Sequence, residues 1–486
     1  MKTKLKIKQL LALFLVMFVL LSGYLVLIVN QYGTRWFTSP YNTRVQDQKG
    51  NIIAGSIGDR NGNILAYCDE SNERKYNPDK RMRLSTALLL GDNFGQTIGA
   101  DAMFAKYLLG YDQNVFERLS AAISGEKAYG SNVTLTVDAE LSSYTYDQMG
   151  DFNGAVILLN YKTGEILTSV SKPAFDPARM KDYLDGKITL ESGEMVNRVT
   201  MGQYAPGSVF KIVTLLAAIR YIPNAVNETF NCSGQLLFDE KTGKYVGDLN
   251  TVLNLEGLNG LIDYQGSSHG ELSLKSAFTK SCNNTFGLLA MKIGNDKMAK
   301  TAYDLGIGRE FLFSDMLAYS SSFTKADKDI DLAWSGAGQY KDIMTPLNMA
   351  LISASVANGG VMPEPKLLRY AVTPGGAMTY SLRPGKYMTS MNKEEAGLIR
   401  EYMLEVVKNG TGKSAQISGY EVGGKTGTAE VTSDGSKSPH AWFTGFVYSD
   451  DHPLAICVIL ENGGSGGSNA APVAQAVLKR AIRLGY

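Results

Sequence analysis

The chain has 486 residues, 44% of them hydrophobic and 20% charged, which excludes a disordered polymer and makes two or three domains the expectation. Its 48 Lys and Arg balance 47 Asp and Glu, and with no basic block the composition argues against nucleic acid as a partner. Four cysteines (Cys68, Cys232, Cys282, Cys457) show no CxxC or zinc-type spacing, and His269, His440 and His452 are dispersed, so the sequence suggests no disulfide framework, no metal site and no cofactor.

Lys2, Lys4, Lys6 and Lys8 precede an uncharged apolar run from Leu10 to Val29. Twenty residues at 1.5 Å rise match the roughly 30 Å hydrocarbon core of a bilayer. The lysines on one side only place residues 1–9 in the cytoplasm and the rest of the chain outside it. A cleaved signal peptide is the competing reading, disfavoured by the length of the run and the lack of an A-x-A site. Residues 30–130 read as an irregular, polar N-terminal region. Within it, Asp59-Arg60-Asn61-Gly62 between Ile57 and Ile64-Leu65 predicts a hairpin, and residues 99–123 carry a helical pattern. Gly130-Ser131-Asn132 marks the expected boundary to a second domain over 131–486. That domain opens with a strand at Thr134–Val137, a helix, and a hairpin of Gly154–Asn160 and Glu165–Val170. Residues 209–220 are apolar almost all round, which predicts a buried helix. Helices are also expected over 271–307 and 345–358. Strands follow near 420–431, 441–448 and 454–461, then a final amphipathic helix carrying Val473, Val477, Leu478, Ala481 and Ile482. The fold class is α+β, with helices grouped in the middle and an antiparallel sheet late.

Three short motifs carry chemistry. Ser208-Val209-Phe210-Lys211 follows a Pro206-Gly207 turn and opens the buried helix, so serine and lysine lie one turn apart on one face. Lys211 is the single charge among Val209–Ile219, and desolvation lowers an amine's pKa towards that of a general base. Free N–H groups at the helix start suit a developing oxyanion. Ser-x-x-Lys occurs five times, from residues 124, 169, 208, 322 and 390, and the context singles out the copy at 208. Ser281-Cys282-Asn283 separates two helical segments. It reads either as helix capping by Ser281, Asn283 or Asn284, or as a hydroxyl proton shuttle with an amide that orients Lys211. Cys282 reads as a small buried residue or as a partner for Cys232 in a bridge. Lys425-Thr426-Gly427, with Thr428 beyond it, lies on a strand where small residues admit an extended peptide. There Lys425 suits a carboxylate, with the Thr426 and Thr428 hydroxyls as donors. The Lys-Thr-Gly triplets at 162 and 241 read as hairpin turns.

As an ordered set, separated by 73 and 144 residues, these motifs resemble those of the penicillin-binding transpeptidases. The stretches NRVTMGQYAPGSVFK, HGELSLKSAFTKSCNNTF, TPLNMALISASVANGG and GGKTGTAE with HAWFTGF carry the resemblance, and AGSIGDRNGNILA resembles the start of the pedestal in class B members. Where that family usually has Arg-Gly, Ala54-Gly55 stands here. The resemblance implies a short class B protein with one transmembrane helix, a small pedestal over 30–130 and the transpeptidase fold over 131–486. It implies a monofunctional D,D-transpeptidase that cross-links peptidoglycan stem peptides and is acylated by β-lactams. It implies Ser208 as nucleophile and Lys211 as base. Ser281 would shuttle the proton and Asn283 position Lys211 and substrate. Lys425, Thr426, Gly427 and Thr428 would form the substrate-binding strand. A SEDS-family glycan polymerase is the implied partner. A D,D-carboxypeptidase or β-lactamase is an alternative, as is a non-enzymatic scaffold or β-lactam sensor.

Overall fold

A five-stranded antiparallel sheet is built from Val422–Ala429, His440–Val447, Leu454–Leu460, Gly154–Asn160 and Ile166–Lys172, in that order across the sheet. In the computed structural model, residues 2–37, 52–114, 127–431 and 436–486 are described. The strand Gly154–Asn160 reads Gly-Ala-Val-Ile-Leu-Leu-Asn, a run rather than an alternation, because helices cover both faces of the sheet. Ala155, Ile157 and Leu159 join the core on one side with the helix Pro346–Ala357, which is buried along its whole length. Val156 and Leu158 join Val473, Ala474, Val477 and Leu478 of the last helix, Ala471–Arg483, on the other. The helix Ala139–Gln148 packs beside that last helix and against Ile166–Lys172.

The expected helices and strands of residues 131–486 form at or within a few residues of the expected positions. The helix at 209–220 is a 3₁₀ turn, Gly207–Phe210, running into Lys211–Tyr221. The pattern over 271–307 resolves into Leu274–Lys280, Asn283–Ile293 and Asn295–Asp304. Of the four further strands around 229–262, the sequence marked only the turn at 241–243, because their short polar-flanked runs give little periodicity.

The N-terminal region carries more structure than its composition promises. Ile57–Gly58 and Ile64–Cys68 pair as the expected hairpin, its turn held by Asp59, whose Oδ1 accepts from the N–H groups of Asn61 and Asn63. A helix at Lys80–Leu90 was missed, although Asp79 caps it by accepting from the Arg81 and Met82 N–H groups. Of the pattern over 99–123, Ala100–Met103 and Ala105–Leu108 are helical, and residues 115–126 lie outside the described part.

A six-stranded sheet runs in the order Met378–Ser381, Leu368–Val372, Asn132–Leu135, Ile57–Gly58, Ile64–Cys68, Arg74–Tyr76. One sheet therefore draws strands from either side of position 130. A bidentate ion pair reinforces this join: Arg83 donates through Nε and Nη2 to the two carboxylate oxygens of Asp176, both at 2.9 Å. Before all of this stands the helix Lys2–Phe37, whose segment Lys6–Val29 is long and apolar enough to cross a bilayer.

Candidate active site

The 3₁₀ turn Gly207–Phe210 matters locally, because residues i and i+3 eclipse in that geometry. It brings the Lys211 Nζ to 3.1 Å from the Ser208 Oγ. Gly207 has φ +57°, and a Cβ there would lie 2.6 Å from the Thr428 carbonyl oxygen. The turn carrying Ser208 thus lies against the strand Val422–Ala429 closely enough to exclude any side chain at 207. Trp442 on the neighbouring strand donates from Nε1 to the Ala205 carbonyl at 3.0 Å and fixes the approach to the turn.

Lys211 is fully buried, whereas Ser208 remains partly accessible. Burial pushes the Lys211 amine down to about 8, partly offset by the Asp263 carboxylate. Its nitrogen lies 2.6 Å from the Ser281 carbonyl oxygen and 2.6 Å from the Asn283 Oδ1. A neutral amine has two N–H donors and one lone pair. The two short contacts use the donors, and the lone pair is left for the Ser208 hydroxyl, the arrangement a general base requires.

Ser281 is the C-cap of Leu274–Lys280 and sits in the left-handed region at φ +62°, ψ +37°. This conformation is uncommon for a serine and turns the loop so that its carbonyl and hydroxyl both face Lys211. The cap of the following helix is not Ser281, Asn283 or Asn284. Cys282 takes that place, its sulfur accepting from the Thr285 N–H at 3.4 Å. The capping expected of Ser281, Asn283 or Asn284 at this helix start is therefore corrected to Cys282. Asn283 is held at both ends. Its Nδ2 donates to the Ile262 carbonyl at 2.9 Å, and its backbone N–H to the Asp263 Oδ1 at 3.2 Å.

The strand Val422–Ala429 has one sheet neighbour, His440–Val447, so its other edge faces the cleft. From it, buried Lys425 donates to the Ser281 Oγ at 2.8 Å and to the Thr426 carbonyl at 2.9 Å. Burial, and then the neighbouring Lys211 charge, hold its amine well below the usual lysine range. Ser281 thus stands between two lysines, its hydroxyl 3.2 Å from Lys211 and 2.8 Å from Lys425. The Thr426 hydroxyl meets that of Thr411 at 2.6 Å. Gly427 lies close to the Pro206 carbonyl and to Val209, which seats the strand on the Ser208 turn. The Thr428 Oγ1 accepts from the Gly466 N–H at 3.5 Å.

All eight residues singled out in the sequence therefore gather in one cleft. The other Ser-x-x-Lys copies do not enter it: Lys325 pairs with exposed Asp296, Lys393 is exposed, and Lys172 donates to the Gly150 carbonyl. Ser124 lies outside the described residues. The Lys-Thr-Gly triplets at 162 and 241 form hairpin turns. Three residues that support the site escaped the sequence. Gln339 donates from Nε2 to the Thr428 carbonyl at 2.8 Å and accepts from the Glu430 N–H at 3.2 Å. Thr411 holds Thr426, and Asp263 holds the Asn283 backbone. A glycine beside Gln339 and glycines on both sides of Thr411 marked tight turns there, but nothing in the sequence tied those turns to the cleft.

The model of the penicillin binding protein transpeptidase domain matches residues 154–479. The chain belongs to that family. Similarity to its transpeptidase members extends well beyond the domain. The peptidoglycan D,D-transpeptidase PbpA of Mycolicibacterium smegmatis is 27% identical, over 95% of this chain and 96% of that protein. Penicillin-binding protein A of M. tuberculosis, solved as a penicillin G acyl-enzyme complex, superposes with a TM-score of 0.76 at 25% identity, covering 89% of this chain and all of the other. The D,D-transpeptidase domain of a peptidoglycan glycosyltransferase from Eggerthella lenta gives a TM-score of 0.74 at 26% identity, over 89% of this chain and 99% of that one.

Proposed function

We propose that this chain is a peptidoglycan D,D-transpeptidase working through an acyl-enzyme on Ser208. One observation carries the reading: the Lys211 nitrogen lies 3.1 Å from the Ser208 Oγ, while the Ser281 carbonyl and the Asn283 Oδ1, each at 2.6 Å, accept from it. Ser208 Oγ attacks the carbonyl carbon of the penultimate D-Ala of a stem peptide, and its proton passes to Lys211 Nζ. The carbonyl oxygen becomes an oxyanion, met by the backbone N–H groups of Ser208 and Thr428. Collapse breaks the C–N bond, and Ser281 relays a proton to the departing D-Ala nitrogen. The amine of a neighbouring stem then attacks the ester, loses a proton and frees Ser208. Asn283 orients Lys211 through Oδ1, and the second hydrogen of its Nδ2 serves the acyl-chain amide. Lys425, Thr426 and Thr428 hold the terminal carboxylate, and Gly427 keeps their strand against the Ser208 turn. A β-lactam acylates Ser208 by the same route.

The apolar helix anchors the chain in the membrane, with its lysine-bearing end in the cytoplasm and the catalytic domain on the far side. A SEDS-family glycan polymerase is the partner the family resemblance supplies. Labelling of the detergent-solubilised full chain with a fluorescent penicillin tests the reading. A single labelled residue, Ser208, is expected, with slow loss of label. Ser208→Ala and Lys211→Ala abolish it. Labelling that survives Ser208→Ala rejects the assignment, and rapid turnover of the adduct identifies a β-lactamase instead.

A further inference from the structure

Two adjoining cavities, of about 780 and 520 Å³, share Gln475 and Lys479 and form one groove along the last helix, Ala471–Arg483. That helix presents Gln475, Lys479 and Arg483 to it at positions i, i+4 and i+8, a stripe opposite the buried Val473, Val477 and Ala481. The larger cavity is bounded on its other side by the end of the helix Lys393–Asn409 and by residues 413–422. The smaller one reaches Tyr144 of Ala139–Gln148.

Five cations line the groove, Lys408, Lys413, Lys479, Arg480 and Arg483, against one acid, Glu421. None of the six enters an ion pair among the described residues. Like charges gathered in a concavity without counter-charge raise the local potential and favour an anion. Arg480 is held at its place by the Tyr144 ring, 5.9 Å away. Two glutamines add a second kind of recognition. Gln416 donates from Nε2 to the Val407 and Lys408 carbonyls, both at 2.9 Å, and Gln475 donates from Nε2 to the Gln416 carbonyl at 2.6 Å. With their nitrogens so engaged, each turns its Oε1 to a role as acceptor, and neither oxygen has a donor among the described residues.

We propose that this groove is an exosite for an acidic peptide, a second stem on the glycan strand whose neighbouring stem occupies the Ser208 cleft. Carboxylates of the stem meet the cations, its amide N–H groups meet the glutamine oxygens, and its methyl groups pack on Leu404, Val407 and Ile417. A polyphosphodiester chain matches the cations but brings no amide N–H groups to the glutamines. The choice of a stem as occupant rests on the transpeptidase reading, and the position suits it. Val422, at the groove, precedes Lys425 by three residues of one strand, about 10 Å. Residues 411–413 connect the two places, for the Thr411 hydroxyl meets that of Thr426 at 2.6 Å while Lys413 faces the groove.

The test measures fluorescence anisotropy of labelled, soluble, uncross-linked peptidoglycan strands with the full Ser208→Ala chain in detergent, which lacks the nucleophile that would consume the probe. Adding Lys413→Glu and Lys479→Glu together should weaken binding about tenfold or more, and salt should weaken it as well. Lys393→Glu, at the far end of its helix, should leave it unchanged. Strands freed of their stems by an amidase should bind the chains with and without the two groove substitutions equally. With Ser208 present, the double variant should raise KM for strands about tenfold at unchanged kcat, while KM for a single free stem peptide and the rate of penicillin labelling stay within about twofold. A folding defect would lower the labelling too, so the two effects separate. Equal affinity of the double variant and its parent for strands overturns the exosite and leaves the transpeptidase reading standing. Displacement of the strands from the groove by poly(glycerol phosphate) at equal charge concentration, or groove-dependent binding of stem-free strands, also overturns it. Failure of penicillin to label Ser208 in the unaltered chain rejects the transpeptidase reading, and with it a second stem as the occupant.

Discussion

At Lys211, burial brings an amine's titration into the working pH range. With its amine held down to about 8, roughly one molecule in ten carries the neutral form at pH 7 and roughly nine in ten at pH 9. The base works only when neutral, so the second-order rate of penicillin acylation should climb about tenfold from pH 7 to 9 and then level. Stopped-flow acylation across that range checks this, and a flat profile would remove Lys211 as the base. Lys425 meets the opposite demand, since carboxylate recognition needs its ammonium while burial disfavours it. An arriving carboxylate supplies the missing counter-charge. Lys425→Ala should therefore cost about 1.5–3 kcal/mol in transition-state stabilisation, or roughly ten- to a hundredfold in acylation efficiency. A β-lactam analogue without its carboxylate should barely register the change, and equal losses for both ligands would count against the assignment.

At the scale of elements, the strand Val422–Ala429 explains its own glycines in a way the sequence did not. They were expected to make room for a peptide. In fact a Cβ at Gly424 would lie 2.3 Å from the Phe443 ring, and one at Gly423 would lie 2.4 Å from the Phe446 ring. The glycines leave space for the aromatic side chains of the neighbouring strand. Gly424→Ala should cost about 1–3 kcal/mol by overpacking and lower the melting temperature. A thermal melt indistinguishable from wild type would show that Phe443 moves aside freely. Such residues also mark how far the sequence could be read. The helix at Ser208 was legible because burial on all sides leaves an unbroken apolar run. The sheet strands were legible because helices on both faces demand the same. Lys80–Leu90 was not, since its first turn is basic and only Asp79 marks its start. Gln339, Thr411 and Asp263 were not legible either, because each reaches the site through a contact that only tertiary packing creates.

The whole molecule depends on the join between its N-terminal region and the rest. Removing residues 1–37 should leave a soluble chain that elutes as a single species and still labels at Ser208. Removing 1–130 deletes three strands of the six-stranded sheet and the Arg83 side of the Arg83–Asp176 pair. It also bares the edge of Asn132–Leu135 once covered by Ile57–Gly58. That shorter chain should aggregate on size-exclusion chromatography, and a monodisperse, penicillin-labelled product would show that the region is dispensable for folding.

The same sheet sets a timetable. Asn132 pairs with Val372, so 240 residues of chain must follow the first strand before its second neighbour exists. At about 5–20 residues per second of synthesis, that interval lasts roughly 10–50 s. Throughout it, the growing chain carries a half-built sheet with one unpaired edge, and the helix carrying Lys211 is made well before the strand carrying Lys425. The nascent protein is thus most vulnerable to proteases and to mispairing in the middle of its own synthesis, and Lys211 and Lys425 meet only near the end.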